Sequence, residues 1–292
     1  MRLAPPPVTR RWLLTLSYDG SAYRGWQAQP DVPTVESAVE ETLSVLFSRG
    51  KNCLVGQGRT DSGVHALGQT AHVDLPDEPA PTFADMLQAM DRRMHSANRM
   101  LPSDIRIVDW RPVPDTFHAR FDAVSRLYAY RVRIGTNPIT RGFEHQLPVF
   151  ERRRSSDSAP LEAVSDWIAS LNRMAANLYG EHDFSGFCPP DPSIPHFRCT
   201  VELAEWKQIH ELDSDGSSAA PLLEFRIRAN RFLRHMVRRL VGTMLDAGGR
   251  PEAERAFREL LDPPSPEGRP PKLRVKTAPP QGLFLVKVDY PL

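Results

Sequence analysis

Hydrophobic and polar residues alternate along several short stretches in the first half of the chain, which is the pattern of half-buried β-strands. The clearest stretch is residues 125–134, where Tyr128, Tyr130 and Val132 would share one face. Shorter apolar runs, bounded by Gly, Pro or Asp, show the same tendency. Strands are predicted at residues 12–18, 53–55, 69–75, 105–110 and 125–134.

Two helices are predicted between these strands. Thr34 has the side chain to cap a helix over residues 34–48, because its hydroxyl can accept a free backbone N–H of the first turn. Val35 and Val39 begin the apolar side of that helix. The second helix is predicted at residues 83–95.

The second half of the chain mixes strands and helices in the same way, after a segment rich in Pro, Ser and charge. Helices are predicted at residues 161–178, 232–245 and 251–261, and strands at residues 197–206, 222–229 and 283–290. The helix over 232–245 would end at Gly248 and carry Arg231, Arg234 and Arg238 along one flank, at positions i, i+3 and i+7.

Consecutive strands interrupted by one or two helices favour an α+β fold with largely antiparallel sheets whose helices cover one face. The order lacks the regular strand–helix alternation of a Rossmann fold. We expect an N-terminal half at residues 1–135, a connection at 136–160 and a C-terminal half at 161–292.

Composition excludes several classes of protein. The chain has 292 residues, of which 40% are hydrophobic and 25% charged, as in ordinary globular proteins. No run approaches the ~20 apolar residues of a membrane span. Residues 1–14 lack the apolar core of a signal peptide. We therefore expect a cytoplasmic protein with no membrane partner.

The three cysteines, Cys53, Cys188 and Cys199, are widely spaced. Their number and spacing argue against a disulfide framework and against a zinc site, so buried thiols are expected. No Asp, Glu and His cluster with metal-ligand spacing surrounds the candidate site described next, so no metal is predicted.

The net charge is +1, but arginines cluster at residues 120–133, 152–154 and 226–239. Local basic patches on a nearly neutral protein suit a polyanion site confined to one face. The alternative, an ordinary solvated surface, is open for each cluster.

A glycine-rich turn at residues 56–66 separates two strand-like runs and contains Arg59, Asp61 and His65. A carboxylate at such a turn can serve as a nucleophile or a base, or it can be a turn residue bonded to its own backbone. Residues at i and i+2 of an extended backbone point the same way, so Arg59 could hold Asp61 ionised. His65 and His72 are interpreted as structural.

Two further features admit both a functional and a structural interpretation. Tyr128 is either a core tyrosine or a ring on which an unstacked base could lie. The arginines of residues 226–239 either contact phosphates or are solvated side chains.

Together these segments resemble the TruA family of tRNA pseudouridine synthases, and the resemblance covers most of the chain. The central motif is Gly58-Arg59-Thr60-Asp61-Ser62-Gly63-Val64-His65-Ala66. Six others occur in the family's order: Tyr18-Asp19-Gly20-Ser21 with Gly25-Trp26-Gln27, Leu101-Pro102, Phe117-His118-Ala119-Arg120-Phe121 with Tyr128, His182-Asp183-Phe184, Asn230-Arg231-Phe232 with Arg238, and Ala278-Pro279 with Leu283. Gln57 and Ser62 stand where many members have alanine, and residues 151–160 and 189–195 match no family motif.

The resemblance implies an isomerase that converts uridine to pseudouridine in the anticodon arm of tRNA, at positions 38 to 40, without metal or cofactor. It implies a homodimer whose two subunits contact one tRNA. It also implies two α/β halves whose sheets join around a central basic cleft, with helices on the outer face.

The same resemblance assigns roles to single residues. Asp61 would be the catalytic aspartate. The substrate-binding set would be Arg59, which holds the RNA around the flipped nucleotide, Tyr128, which stacks on the target base, Arg238, which pairs with Asp61, and Leu283, which packs against the base pocket. The expected contacts to the RNA backbone are Arg126, Arg231 and Arg234.

Two alternatives remain beside the isomerase. One is a catalytically silent tRNA-binding protein or folding chaperone, and the other is an N-glycosylase that hydrolyses the same bond and releases uracil.

Overall fold

The computed structural model describes residues 9–48, 54–76, 81–147, 160–209, 221–261 and 273–291. Most of these residues lie in strands and helices. The strands are β1 (Thr9–Tyr18), β2 (Leu54–Gly56), β3 (His65–Pro76), β4 (Ile105–Pro112), β5 (Ser125–Ile134), β6 (His145–Leu147), β7 (Gly180–Asp183), β8 (Arg198–Ile209), β9 (Leu222–Ala229) and β10 (Leu283–Asp289). The α-helices are α1 (Val35–Leu46), α2 (Phe83–Met100), α3 (Pro160–Ala176), α4 (Met236–Ala247) and α5 (Ala253–Arg258).

The chain divides into two compact units. The first unit comprises Met1–Val124 and Leu285–Leu292, and the second comprises Ser125–Phe284. The second unit begins with β5, which pairs along its length with β9. The expected division into residues 1–135, 136–160 and 161–292 stays a prediction. The last strand passes into the first unit, where it neighbours β3.

In the first unit the sheet runs in the order β4-β1-β3-β10, and β2 also pairs with β3. The pairs that β1 makes with β3 and β4, and that β2 makes with β3, are antiparallel. Strand β3 is longer than predicted and is buried along nearly its whole length. Its polar residues Gln69, Thr70 and His72 are buried as well. Each has a hydrogen-bond partner, which offsets the cost of removing it from water.

The helices of the first unit begin as the sequence predicts. The Thr34 side chain accepts the backbone N–H of Ser37, which confirms the predicted cap. Helix α2 continues five residues past its predicted end. Its last turn is held on β4 by Asn98, whose side chain accepts the N–H of Ile107 and donates to its carbonyl, both at 2.8 Å.

In the second unit, β5 pairs with β9, β9 with β8, and β8 with β7, all antiparallel, while β6 joins β5 in parallel. The sequence did not predict β6 and β7, which are three and four residues long. Helix α3 lies on β8, where the Asn172 side chain bonds both backbone groups of Trp206.

The predicted start of helix α4 is wrong. The helix begins at Met236, and the preceding His235 has φ = 60°. A left-handed residue does not continue a right-handed helix, so Arg231 and Arg234 lie in the loop before it. Only Arg238 of the predicted arginine stripe is helical.

The observed strands and helices confirm the α+β class with largely antiparallel sheets. The central basic cleft stays a prediction. Cys188 and Cys199 are buried free thiols, as expected, whereas Cys53 and Arg152–Arg154 lie outside the described residues. Among the helices that the structure describes, none is long and apolar enough to cross a membrane.

Candidate active site

The glycine-rich turn lies between β2 and β3 in the first unit, and its first residues are fixed by β3. The Gln57 backbone N–H donates to Thr70 O at 2.9 Å, and the Gln57 side chain donates to Gln69 Oε1 at 3.1 Å. Gln69 in turn donates to the carbonyl of Gly58 at 3.0 Å. A backbone hydrogen bond to β3 and a buried amide pair therefore hold the entrance of the turn together.

The centre of the turn is held by the segment that follows β1. Trp26 N–H donates to Thr60 O at 3.1 Å, and the hydroxyls of Tyr18 and Thr60 are 2.8 Å apart. Ser62 Oγ donates to the carbonyl of Tyr23 at 3.2 Å. The residues on both sides of Asp61 are thus tied to the same neighbouring segment.

Two glycines allow that close approach. Gly25 has φ = 94°, and a Cβ there would lie 2.6 Å from Thr60 O. A Cβ on Gly20 would lie 2.0 Å from Val64 O. Any side chain at either position would push the turn away, and at Gly25 the backbone would also be strained.

Asp61 is half-buried, and its carbonyl accepts the N–H of Val64 at 3.1 Å, which closes the turn. Gly63 inside that turn has φ = 75°. The backbone of Asp61 is therefore fixed in advance, which is the condition for a carboxylate that must meet one atom of a substrate.

Arg59 is exposed, and its charge acts on Glu36 in the first turn of α1. Burial raises the pKa of Glu36. The N–H that Ala28 donates to it at 2.7 Å and the charge of Arg59 both oppose that rise. Glu36 also accepts from Trp26 Nε1 at 3.1 Å. This carboxylate braces the segment that holds the turn. The pairing of Arg59 with Asp61 stays a prediction.

The two histidines near the turn bond backbone groups, as expected for structural residues. His65 is buried, with Nδ1 3.2 Å from the N–H of Gly20. His72 is buried and accepts the N–H of Ala119 at 3.1 Å. His65 Nδ1 also lies 3.1 Å from Asp19 Oδ1. The structural interpretation of both histidines stays a prediction.

In the second unit, Tyr128 is half-buried on β5 and its ring meets the Phe232 ring edge to face, with centroids 5.0 Å apart. The loop that carries Phe232 is anchored on both sides. Arg126 Nη1 donates to Asn230 O at 2.7 Å, and Asn230 exchanges two hydrogen bonds with the backbone of Thr200. Arg126 is therefore engaged with the protein backbone as well as being a candidate for RNA contact.

Arg238 contacts the segment at residues 278–283, which ends at Leu283. Arg238 Nε donates to Ala278 O at 2.9 Å, and the N–H of Ala278 donates to Arg238 O at 2.9 Å. Burial raises the pKa of Tyr130, and the nearby Arg238 opposes that rise. Leu283 is buried. A side chain on Gly282 would strike the Tyr130 ring, so this segment lies directly on β5.

Arg231 and Arg234 lie near the loop at residues 189–197, which includes the segment 189–195 that matches no family motif. Arg231 Nη1 lies 3.5 Å from His196 Nε2. Hydrogen bonds from Ser193 lower the pKa of the exposed Asp191, and Arg234 adds to that effect. Arg231 is half-buried and Arg234 is exposed, so a phosphate can reach both side chains. Both lie in the loop before α4 and not on the helix.

The family model described as tRNA pseudouridine synthase matches residues 15–122 and 174–291. The chain belongs to this family. Asp61, Arg59, Arg238 and Leu283 lie inside the matched segments, whereas Tyr128 lies between them.

Curated proteins agree with the family model over nearly the whole chain. The chain is 38% identical to a tRNA pseudouridine synthase A of Chlorobaculum tepidum, with 95% of this chain and 96% of that protein covered. It is 36% identical to the protein of the same name in Chlorobium luteolum, covering 95% and 94%, and 33% identical to that of Bacillus pumilus, covering 94% and 97%.

As a member of the tRNA pseudouridine synthase family, the chain is an isomerase whose substrate is tRNA. Within the part of the chain that the structure describes, no group of three or more His, Cys, Asp or Glu residues could hold a metal ion.

The structure brings Arg59 and Asp61 onto one turn of the first unit, and places Tyr128, Arg126, Arg231, Arg234, Arg238 and Leu283 in the second. Sequence reasoning missed Glu36, Phe232 and His196. A carboxylate on the apolar side of a predicted helix was the signal for Glu36. Phe232 lies in the motif Asn230-Arg231-Phe232, but nothing local indicated its contact with Tyr128. His196 had no local signal, because its partner Arg231 is distant in the chain.

Proposed function

We propose that this tRNA pseudouridine synthase modifies uridines at positions 38 to 40 of the anticodon arm, with Asp61 as its catalytic residue. The observation that carries the proposal is the turn around Asp61, which Tyr18, Trp26 and Gly25 hold in one conformation. So much local constraint on an otherwise irregular segment is typical of a site that must present one side chain reproducibly.

The reaction breaks the N1–C1′ bond of uridine, turns the uracil, and forms a C5–C1′ bond. N1 gains a proton and C5 loses one. An ionised Asp61 either attacks C1′ or stabilises the positive charge that develops on the sugar. The net change is one carbon–nitrogen bond exchanged for one carbon–carbon bond, so it needs no redox cofactor, and we propose that none takes part.

The resemblance to the family supplies the other roles in the proposed site. Tyr128 stacks on the flipped base and offsets part of the cost of unstacking it, which is roughly a few kcal/mol. Its phenol is our candidate to take the proton from C5. Arg238 pairs with Asp61 and orients the carboxylate. Leu283 helps exclude water while the uracil is detached.

The remaining assignments are proposals of the same kind. Arg59 holds the RNA around the flipped nucleotide, and Arg126, Arg231 and Arg234 contact phosphates. We propose that the protein acts as a homodimer in the cytoplasm, where its tRNA substrate is. Sedimentation at assay concentration tests the dimer.

The deciding experiment is Asp61→Asn, which keeps the size of the side chain and removes its charge. Release of tritium from tRNA labelled at uridine C5 should fall by about 10³-fold or more, while tRNA binding is retained. Asp109→Asn, an exposed aspartate on β4, is the matched control and should keep wild-type turnover.

Unchanged turnover in Asp61→Asn would remove Asp61 from the mechanism. If the wild-type protein binds tRNA but mass spectrometry finds no pseudouridine, the silent tRNA-binding alternative is correct. Free uracil in the reaction would instead identify an N-glycosylase. Transcripts with a single uridine at position 38, 39 or 40 test the specificity.

A further inference from the structure

Phe121 is an exposed residue of the first unit that has no role in the proposed site. Its side chain is 76% exposed, in the loop between β4 and β5. A single exposed apolar residue is common and by itself means little. The loop that carries Phe121, residues 117–122, differs from an ordinary surface loop in how firmly it is held.

Strands β1 and β3 and the residue after β10 fix the backbone of this loop. Arg11 Nη1 on β1 donates to Phe117 O at 2.8 Å, and the N–H of Ala119 donates to His72 Nδ1 on β3 at 3.1 Å. Tyr290, directly after β10, donates its hydroxyl to Ala119 O at 2.7 Å. The loop is therefore rigid before any partner binds, so little conformational entropy is lost when one does.

The tip of the loop is fixed from within. The N–H of His118 donates to Asp122 Oδ2 at 2.7 Å, and His118 Nδ1 accepts the N–H groups of Arg120 at 3.2 Å and Phe121 at 3.4 Å. The His118 and Phe121 rings lie 4.3 Å apart at 35°. Phe121 thus rests on an imidazole whose orientation is set by the backbone.

A cation stands beside the two rings. The Arg120 guanidinium carbon lies 5.9 Å from the centre of the Phe121 ring, and Arg120 is exposed. An exposed aromatic ring beside an arginine is the pairing with which proteins bind unpaired nucleotides, the ring stacking on a base and the guanidinium meeting the phosphate. Phe and Arg are also common at protein interfaces, so the tests below distinguish RNA from a protein partner.

We propose that His118, Arg120 and Phe121 form a second nucleotide-binding site, in which Phe121 stacks on an unpaired base of the substrate tRNA and Arg120 contacts its phosphate. The inference rests on tRNA being the substrate, as in the proposed function, but not on Asp61 or any step of the chemistry. Its tests are therefore binding measurements, which remain informative even if the mechanism assigned to Asp61 is wrong.

The first test compares Phe121→Ala with Phe121→Trp. Loss of one stacked base costs about 1–3 kcal/mol, so Phe121→Ala should weaken tRNA binding about 5-fold to 150-fold, whereas Phe121→Trp should bind like the wild type. KM should rise while kcat at saturating tRNA is unchanged. Phe83→Leu, an exposed phenylalanine at the start of α2, is the control and should bind normally.

Two further measurements identify the partner as unpaired RNA. The fluorescence of Phe121→Trp, in excess of that of wild type, should be quenched by tRNA. A fully paired RNA duplex should bind the wild type and Phe121→Ala equally, because it offers no free base to stack. Arg120→Gln should reduce the salt dependence of tRNA binding by about one phosphate contact.

Equal tRNA affinity of wild type and Phe121→Ala would overturn the proposal, and so would equal loss for tRNA and duplex RNA. If Phe121→Ala instead changes the sedimentation of the free protein at assay concentration, the exposed ring belongs to a contact between copies of this chain, and the nucleotide site is refuted. Inactivity of wild type with intact tRNA binding would refute the proposed function alone.

Discussion

His72 should make the stability of the first unit depend on pH. The ring is 5% exposed on β3, and Nδ1 accepts the N–H of Ala119, so it must be unprotonated there. Burial lowers the pKa of His72 from 6.5 to about 4, with further lowering by Arg11 and His118 and partial compensation by Asp74 and Asp122.

The direction of the effect follows from which state binds the proton. Below pH 6.5 the unfolded chain protonates His72 while the folded chain does not, so acid favours unfolding. Stability from this residue is complete above about pH 7 and is lost as the pH falls from 6.5 towards 4. With these two pKa values the loss is about 2 kcal/mol by pH 5 and approaches about 3 kcal/mol at lower pH.

The assay is urea unfolding of wild type and His72→Gln at pH 7.5 and pH 5.0. Glutamine can still accept the Ala119 N–H but does not titrate, so the variant should lose about 2 kcal/mol less than wild type between the two pH values. His95→Gln, on the exposed side of α2, reports what removal of a histidine does by itself. If the two units unfold in separate transitions, the transition of the first unit carries the effect.

An equal loss of stability in wild type and His72→Gln would refute the reasoning, because it would mean that His72 does not resist protonation in the folded protein. A smaller pH dependence in His95→Gln as well would show that the effect is general to histidine removal and not specific to the buried ring.

Three other substitutions test separate contacts. Gly25→Ala would force a Cβ to within 2.6 Å of a carbonyl of the glycine-rich turn, at φ = 94°, and the resulting strain of about 1–3 kcal/mol should lower kcat in the tritium-release assay at least tenfold. Phe232→Leu removes the edge-to-face contact with Tyr128, worth about 0.5–1.5 kcal/mol, and should raise KM for tRNA about 2-fold to 10-fold. Glu144→Gln leaves the guanidinium of Arg133, which is 3% exposed, without its anion, and should cost about 3–5 kcal/mol in urea unfolding.

Each of these has a control that the chain itself provides. The Cβ of Gly142→Ala meets no atom within 4 Å, so this variant should retain full activity. A similar kcat for both glycine variants would show that the close approach of Gly25 to the glycine-rich turn does not matter. Phe232→Tyr keeps the ring and should restore KM. Replacing Arg133 and Glu144 together by Met should cost less than Glu144→Gln alone, whereas an additive cost would show that the pair does not act as a unit.

Strands and helices with a strong local pattern were predicted well. Strands β5 and β9 have the predicted bounds, and α1 begins at the predicted cap. Errors occur where a non-local contact extends an element or where an unexpected backbone conformation delays its start. Helix α2 is longer because Asn98 pairs with β4, and α4 starts late because His235 takes a left-handed conformation that residue type does not reveal.

The sequence by itself determined the α+β class, the glycine turn with Asp61, and the motifs that show the family, since all of these depend on residue types at short spacing. Only the tertiary structure decided what holds that turn. Tyr18 and Thr60 are 42 residues apart in the chain, and Thr70 and Tyr290 are 220 apart, yet each pair shares a hydrogen bond. Periodicity reports which face of an element is buried, but it carries no information on which distant polar group will satisfy a buried one, because that partner is chosen by the register of the folded sheet.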